Sequence, residues 1–196
     1  MSRLEDFDYK LLIDSSGSMS EPVRQGSSVT RWEAMQETAM DFTRDLDKLD
    51  SDGVTVITFG RSVETFPNTT SAKVREIFAT VMPRGGTPAA EALQAAVAEA
   101  KKSGRKVIAM MWTDGVPSDP EAFARVIVET SHTLETDDEF TLLIIQVGDD
   151  TKATAYLKSL DDNLKGAKFD IVDVRTVQEA EAFPNTTALL EAAIAD

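Results

Sequence analysis

The 196-residue chain has no cysteine and a single histidine, His132. Disulfides, cysteine nucleophiles and cysteine-ligated zinc are therefore excluded. His132 sits in a polar helical stretch with no catalytic partner near it in sequence, so it is read as an exposed side chain. Basic residues are few: 20 Lys and Arg stand against 34 Asp and Glu, a formal charge of −14. That balance disfavours nucleic acid phosphates and anionic lipid surfaces and favours a cation or a basic partner. Long hydrophobic runs are missing too, since no apolar stretch approaches the roughly 20 residues that span a bilayer. The opening MSRLEDFDYK lacks the basic start and apolar run of a secretory signal, so the expected location is the cytoplasm. Neither a G-x-G-x-x-G after the first strand nor a G-x-x-x-x-G-K-[ST] anywhere in the chain invites a nucleotide reading.

What is present is enough apolar material, 42% of residues, for one full core, and a single domain over 1–196 is expected. With no long apolar stretch left over, the chain is expected to be a monomer when alone. Short apolar runs at 8–14, 53–59, 106–112, 140–147 and 168–174 read as strands, nearly continuous in apolar character and so covered on both faces. Helical periodicity lies between them, at 31–49, 71–82, 88–103, 120–135, 152–164 and 187–195. Thr30 and Glu33 form a capping-box signature at the first helix. Residues 61–66 follow a glycine and alternate weakly, as a short edge strand would. The alternation predicts an α/β fold, doubly wound, with a mostly parallel central sheet, one short antiparallel edge strand and helices on both faces. The repeated FPNTT at 66–70 and 183–187 reads as loop entry into a helix with an Asn or Thr cap.

In such sheets ligands lie beyond the carboxyl ends of the strands, where strand order reverses. The polar stretch IDSSGSM, residues 13–19, leaves the first strand at that edge. Asp14, Ser16 and Ser18 alternate there, and Gly17 allows the backbone to wrap their oxygens around one point. A carboxylate with hydroxyls is a hard-oxygen donor set suited to magnesium or manganese. Three ligands are too few for an octahedral ion, so other loops must add theirs. Thr87 in RGGTP and Asp114 in WTDG are the candidates.

These five residues in this order resemble the metal-ion-dependent adhesion site (MIDAS) of von Willebrand factor A (VWA) domains, built from Asp-x-Ser-x-Ser, a later Thr and a later Asp. The resemblance runs over about residues 7–195 and implies a stand-alone intracellular member with a Rossmann-like fold. It implies that Asp14, Ser16, Ser18, Thr87 and Asp114 hold a divalent cation, magnesium foremost, with manganese or calcium as alternatives. It further implies a protein partner whose Asp or Glu completes the coordination shell. Members of this type are associated with ATPase chaperone systems and stress operons. The implied role is an adaptor or assembly factor, not an enzyme. Rim positions, by proximity in sequence, are Met19, Arg84, Pro88, Val116 and the 20–30 loop.

Plainer roles exist for the same residues. Ser16 and Ser18 can satisfy a tight turn, Thr87 before Pro88 can cap a helix, and Asp114 before Gly115 can be a turn residue. Asp119 with Pro120 reads as a cap, Asp149 and Asp150 as loop and cap, and Trp32 and Trp112 as packing residues. The alternative function is a magnesium-dependent hydrolase of phosphate-containing substrates with Asp14 as nucleophile. That pattern needs a second Asp two residues on, where this chain has Ser16.

Overall fold

The computed structural model describes residues 4–50, 52–162 and 164–195. Among these residues six strands form one sheet: β1 (Phe7–Asp14), β2 (Val54–Phe59), β3 (Val63–Thr69), β4 (Lys106–Thr113), β5 (Phe140–Gln146) and β6 (Val172–Thr176). Their order is β3-β2-β1-β4-β5-β6, with only β3 antiparallel to its neighbour. The chain thus winds outward from β1 in one direction and, after β3, crosses to β4 on the other side of β1. The reversal falls between β1 and β4, so the loops after these two strands meet at the sheet's carboxyl edge.

Among the described residues seven α-helices cover the sheet: α1 (Arg31–Leu46), α2 (Ser71–Thr80), α3 (Ala89–Ser103), α4 (Pro120–Thr133), α5 (Thr151–Asp162), α6 (Val177–Glu181) and α7 (Thr186–Ile194). Because successive strand residues point to opposite faces, each central strand feeds two cores. Phe7, Tyr9, Leu11 and Ile13 of β1 join Ile108, Met110 and Trp112 of β4 under α1, α2 and α7. Leu12 of β1 joins Val107, Ala109 and Met111 of β4 under α3, α4 and α5. Both tryptophans pack edge-on, Trp112 against Phe42 at 5.6 Å and Trp32 against Phe78 at 5.7 Å between ring centroids. Among the described residues no helix is long and apolar enough to cross a membrane.

The departures from the sequence expectation have local causes. The last strand runs over 172–176 instead of 168–174, because Lys168 gives its backbone N–H to Ser131 Oγ and Asp170 accepts from Val172 N–H, which hold 168–170 off the sheet. The edge strand extends to Thr69 and absorbs the first four residues of the first FPNTT copy, leaving Thr70 at the cap position of α2 without a side-chain cap bond; Asn68, at φ 51, sits where the register with β2 shifts. The second copy behaves as expected, with Asn185 Oδ1 accepting from Ala188 N–H at the start of α7. A short helix, α6, follows β6 through a capping box of Thr176 and Glu179, in the stretch between the strand and the last helix that the sequence predicts. For the predicted helix over 152–164, residue 163 lies outside the described residues and Leu164 is not helical.

Candidate metal centre

β1 ends at Asp14, and the chain then turns through a short 3-10 segment, Gly17–Ser20. Asp14 Oδ1 accepts the backbone N–H of Ser16 at 2.8 Å, which folds the turn back over the strand end. Its other oxygen accepts from the Thr113 hydroxyl at 2.7 Å, so the β4 terminus holds the β1 carboxylate in place. Ser16 Oγ and Ser18 Oγ lie 3.1 Å apart, and Ser18 donates to Asp114 Oδ1 at 3.0 Å. Asp14, Ser16, Ser18 and Asp114 therefore form one connected cluster of oxygens, drawn from the loops after β1 and β4.

Thr87 reaches the same edge by another route. Gly17 N–H donates to Gly85 O at 3.1 Å and Arg84 N–H to Ser15 O at 2.8 Å, so the loop before α3 is laced onto the β1 turn. Thr87 is buried, with its N–H donating to Ser118 Oγ at 2.8 Å and its carbonyl accepting from Ser118 N–H at 3.0 Å. The cap position of α3 falls on Pro88 and not on Thr87, and no side chain caps that helix. Two further expectations change. Gly17 does not adopt a positive φ; the left-handed residue is Gly85, at φ 88, where a Cβ would come within 2.7 Å of the Arg61 backbone. Met19 is fully buried in the α1 core and contributes nothing to a rim, whereas Arg84 and Val116 are exposed. His132 is exposed, and Asp119 and Asp150 serve as caps, accepting from Ala122 N–H and from Lys152 and Ala153 N–H.

The electrostatics of the cluster are those of a site short of positive charge. Burial pushes the Asp14 carboxyl up from its ordinary 3.8 to about 6; the hydrogen bonds from Thr113 and Ser16 pull it down, and the neighbouring Asp114 carboxylate pushes it further up. Among the described residues no three His, Asp or Glu side chains gather as a metal-holding group. The donors here are instead two carboxylates with serine hydroxyls, a set whose chemistry fits a small hard cation. Thr113 and Arg31 also belong to the site, and sequence reading assigned them no part in it. Thr113 adjoins Asp114 and ends a strand paired with β1, a signal that was available. Arg31, whose Nη1 donates to Asp114 Oδ2 at 2.7 Å, lies 83 residues away with no local signal.

A sequence profile described as von Willebrand factor type A domain matches residues 10–116, more than half of the chain and the stretch in which the five candidate ligands lie. Solved structures share the fold. The manganese-loaded TRAP protein of Plasmodium vivax superposes with a TM-score of 0.70 at 18% identity, covering 97% of this chain and 74% of that one. A point mutant of the PilB minor pilin from Streptococcus sanguinis gives 0.66 at 14% identity, covering 95% and 59%. The pilus adhesin SpaC from Lactobacillus rhamnosus GG gives 0.59 at 15% identity, covering 96% and 29%. The chain thus spans less than two thirds of the latter two. No curated protein sequence matches it.

Proposed function

Because this chain belongs to the von Willebrand factor type A domain family, whose members commonly mediate protein–protein interaction or adhesion, we propose that it is a metal-dependent binding module that captures a partner carboxylate. Asp14, Ser16, Ser18, Thr87 and Asp114 are the proposed ligands, holding the cation directly or through water, with magnesium as the proposed ion and manganese as a substitute. The observation that carries this reading is the oxygen cluster itself: Asp14 bears a carboxylate made costly by burial, 2.8 Å from the turn that carries Ser16, and Ser18 bridges to Asp114. A bound divalent ion supplies a positive centre that an incoming Asp or Glu can join.

The chain's own residues then determine what the site does. Only two ligands are formally charged, and the hydroxyls of Ser16, Ser18 and Thr87 add none, so little of the ion's attraction for an external carboxylate is quenched. Thr113 holds Asp14 by hydrogen bonding, and the Gly17–Gly85 bond fixes the spacing of the two loops. The exposed Arg84 and Val116 flank the site and are the proposed contacts that select a partner. Ser16 occupies the position where a phosphohydrolase of the Asp-nucleophile type carries its acid/base, which favours binding over hydrolysis. An intracellular adaptor or assembly role, with a partner from an ATPase chaperone system or stress operon, remains the proposal drawn from the sequence.

Calorimetric titration of magnesium and manganese into metal-stripped protein, run beside Asp14→Ala, tests the reading. Saturable binding that the substitution abolishes is expected, followed by partner capture that a chelator reverses. Equal heats for wild type and a folded Asp14→Ala variant would overturn it.

A further inference from the structure

Arg31 is the first residue of α1, positioned by its backbone N–H donating to Glu21 O at 2.9 Å and by the Thr30 cap beside it. Its side chain is only 15% exposed and reaches across the sheet edge to Asp114, whose side chain is 2% exposed, with a 2.7 Å contact from Nη1 to Oδ2. Glu21 offers a second carboxylate at 3.4 Å, but that side chain is 63% exposed and water competes for it. Arg31 Nε is buried and has no hydrogen-bond partner among the described residues. The guanidinium is thus seated for its charge at Asp114 at the expense of one of its own donors. The β5–α5 loop is shaped around it: Gly148 has φ 90, and a Cβ there would stand 3.1 Å from Arg31 Nε.

Asp114 therefore has both oxygens engaged, Oδ1 by the Ser18 hydroxyl and Oδ2 by Arg31. We propose that Arg31 is a tethered counter-cation of the metal centre, which neutralises Asp114 in the metal-free protein and lowers the affinity for the divalent ion. This positioning role rests on the metal-binding reading above. With Arg31 counted, the charged groups Asp14, Asp114 and Arg31 sum to a single negative charge instead of two. An ion bound among them competes with a fixed positive charge for Asp114 and keeps more of its own charge for a partner's carboxylate. Removing Arg31 leaves Asp114 buried and uncompensated, a state that metal then relieves.

The test is calorimetry with magnesium and with manganese on metal-stripped wild type, Arg31→Gln, Arg31→Lys and Asp14→Ala, paired with thermal unfolding in chelator and in saturating metal. Arg31→Gln is expected to bind both ions at least about tenfold more tightly than wild type, about 1.4 kcal/mol. Arg31→Lys, which retains the charge, is expected to stay within about threefold of wild type on the same scale. In chelator Arg31→Gln should melt below wild type, and metal should raise its melting temperature by more. Should Arg31→Gln not fold in chelator, Arg31→Met, which preserves the aliphatic packing, is measured by the same criterion. Wild-type binding lost in Asp14→Ala, with affinity unchanged or weaker in the folded neutral variants, overturns the role of Arg31 alone. Absence of binding in wild type and neutral variants alike overturns the metal centre and this role with it.

Discussion

Burial pushes the Asp14 carboxyl up to about 6, while the unfolded chain releases the same proton near 3.8, so this one residue makes stability depend on pH in metal-free protein. Below 3.8 both states hold the proton and Asp14 costs nothing. Between 3.8 and about 6 the unfolded chain has released the proton and the folded state still holds it, so stability falls as pH rises and levels off once the folded carboxyl ionises, a loss of roughly 3 kcal/mol. In chelator, Asp14→Asn should therefore gain on wild type steadily between about pH 4 and pH 7, followed by denaturant unfolding at each pH. Saturating magnesium should reverse the order at pH 7, because the ion stabilises the ionised wild-type carboxylate and has none in the variant. Parallel stability–pH curves for the two proteins in chelator would show that Asp14 is not the group responsible. The residue scale is also where sequence reading was least complete. Asp-x-Ser-x-Ser announces itself by local spacing, whereas Arg31 and Thr113 act on Asp114 and Asp14 through contacts that only the folded sheet creates.

The alternation of apolar runs with helical periodicity carried the elements well, because strands covered on both faces have a composition unlike anything around them. Four of the five apolar runs lie within a residue of the strands they predict, and the edge strand, read from weak alternation, runs three residues further than expected. The last strand, β6, starts late because Ser131 Oγ captures the backbone N–H of Lys168 and the Asp170 carboxylate turns back onto the N–H of Val172. Lys10 is a charge inside the first apolar run, and periodicity alone gives no account of it; in the fold it is buried and paired with Asp8 at 2.7 Å and Thr55 at 3.1 Å. The loop before α3 shows the same limit: two glycines signalled close approach, but not that Gly85 would be the left-handed one. Gly85→Ala should cost about 1–3 kcal/mol, since alanine there strains φ and meets the Arg61 backbone. It should also weaken magnesium binding, because the same residue accepts the Gly17 N–H that ties the two ligand loops together. Asn185→Ala is the matched control: loss of the α7 cap should cost about 1 kcal/mol and leave metal affinity unchanged. Chemical denaturation and calorimetry on both variants read the two quantities separately. Equal metal affinity in Gly85→Ala and wild type would show that the loops need no such tie.

At the scale of the whole molecule, a formal charge of −14 acts on folding and on cation binding with opposite sign. Self-repulsion among surface carboxylates opposes the compact state, and monovalent salt screens it. The same negative field draws a divalent cation toward the carboxyl edge of the sheet, and salt screens that attraction as well. The Debye length falls from about 30 Å at 0.01 M to about 8 Å at 0.15 M, so most of the surface acts on the site at the lower concentration and little of it at the higher. Raising potassium chloride across this range should therefore raise the melting temperature of the metal-free protein and at the same time weaken magnesium binding severalfold. The ion pair between the buried Asp114 and the largely covered Arg31 feels little of this change, so the ratio of affinities between Arg31→Gln and wild type should hold nearly constant across the series. A ratio that collapses at high salt would mean that Arg31 works as one more surface charge, and its influence on the metal centre would then belong to the general field of the molecule instead of to its seat beside Asp114.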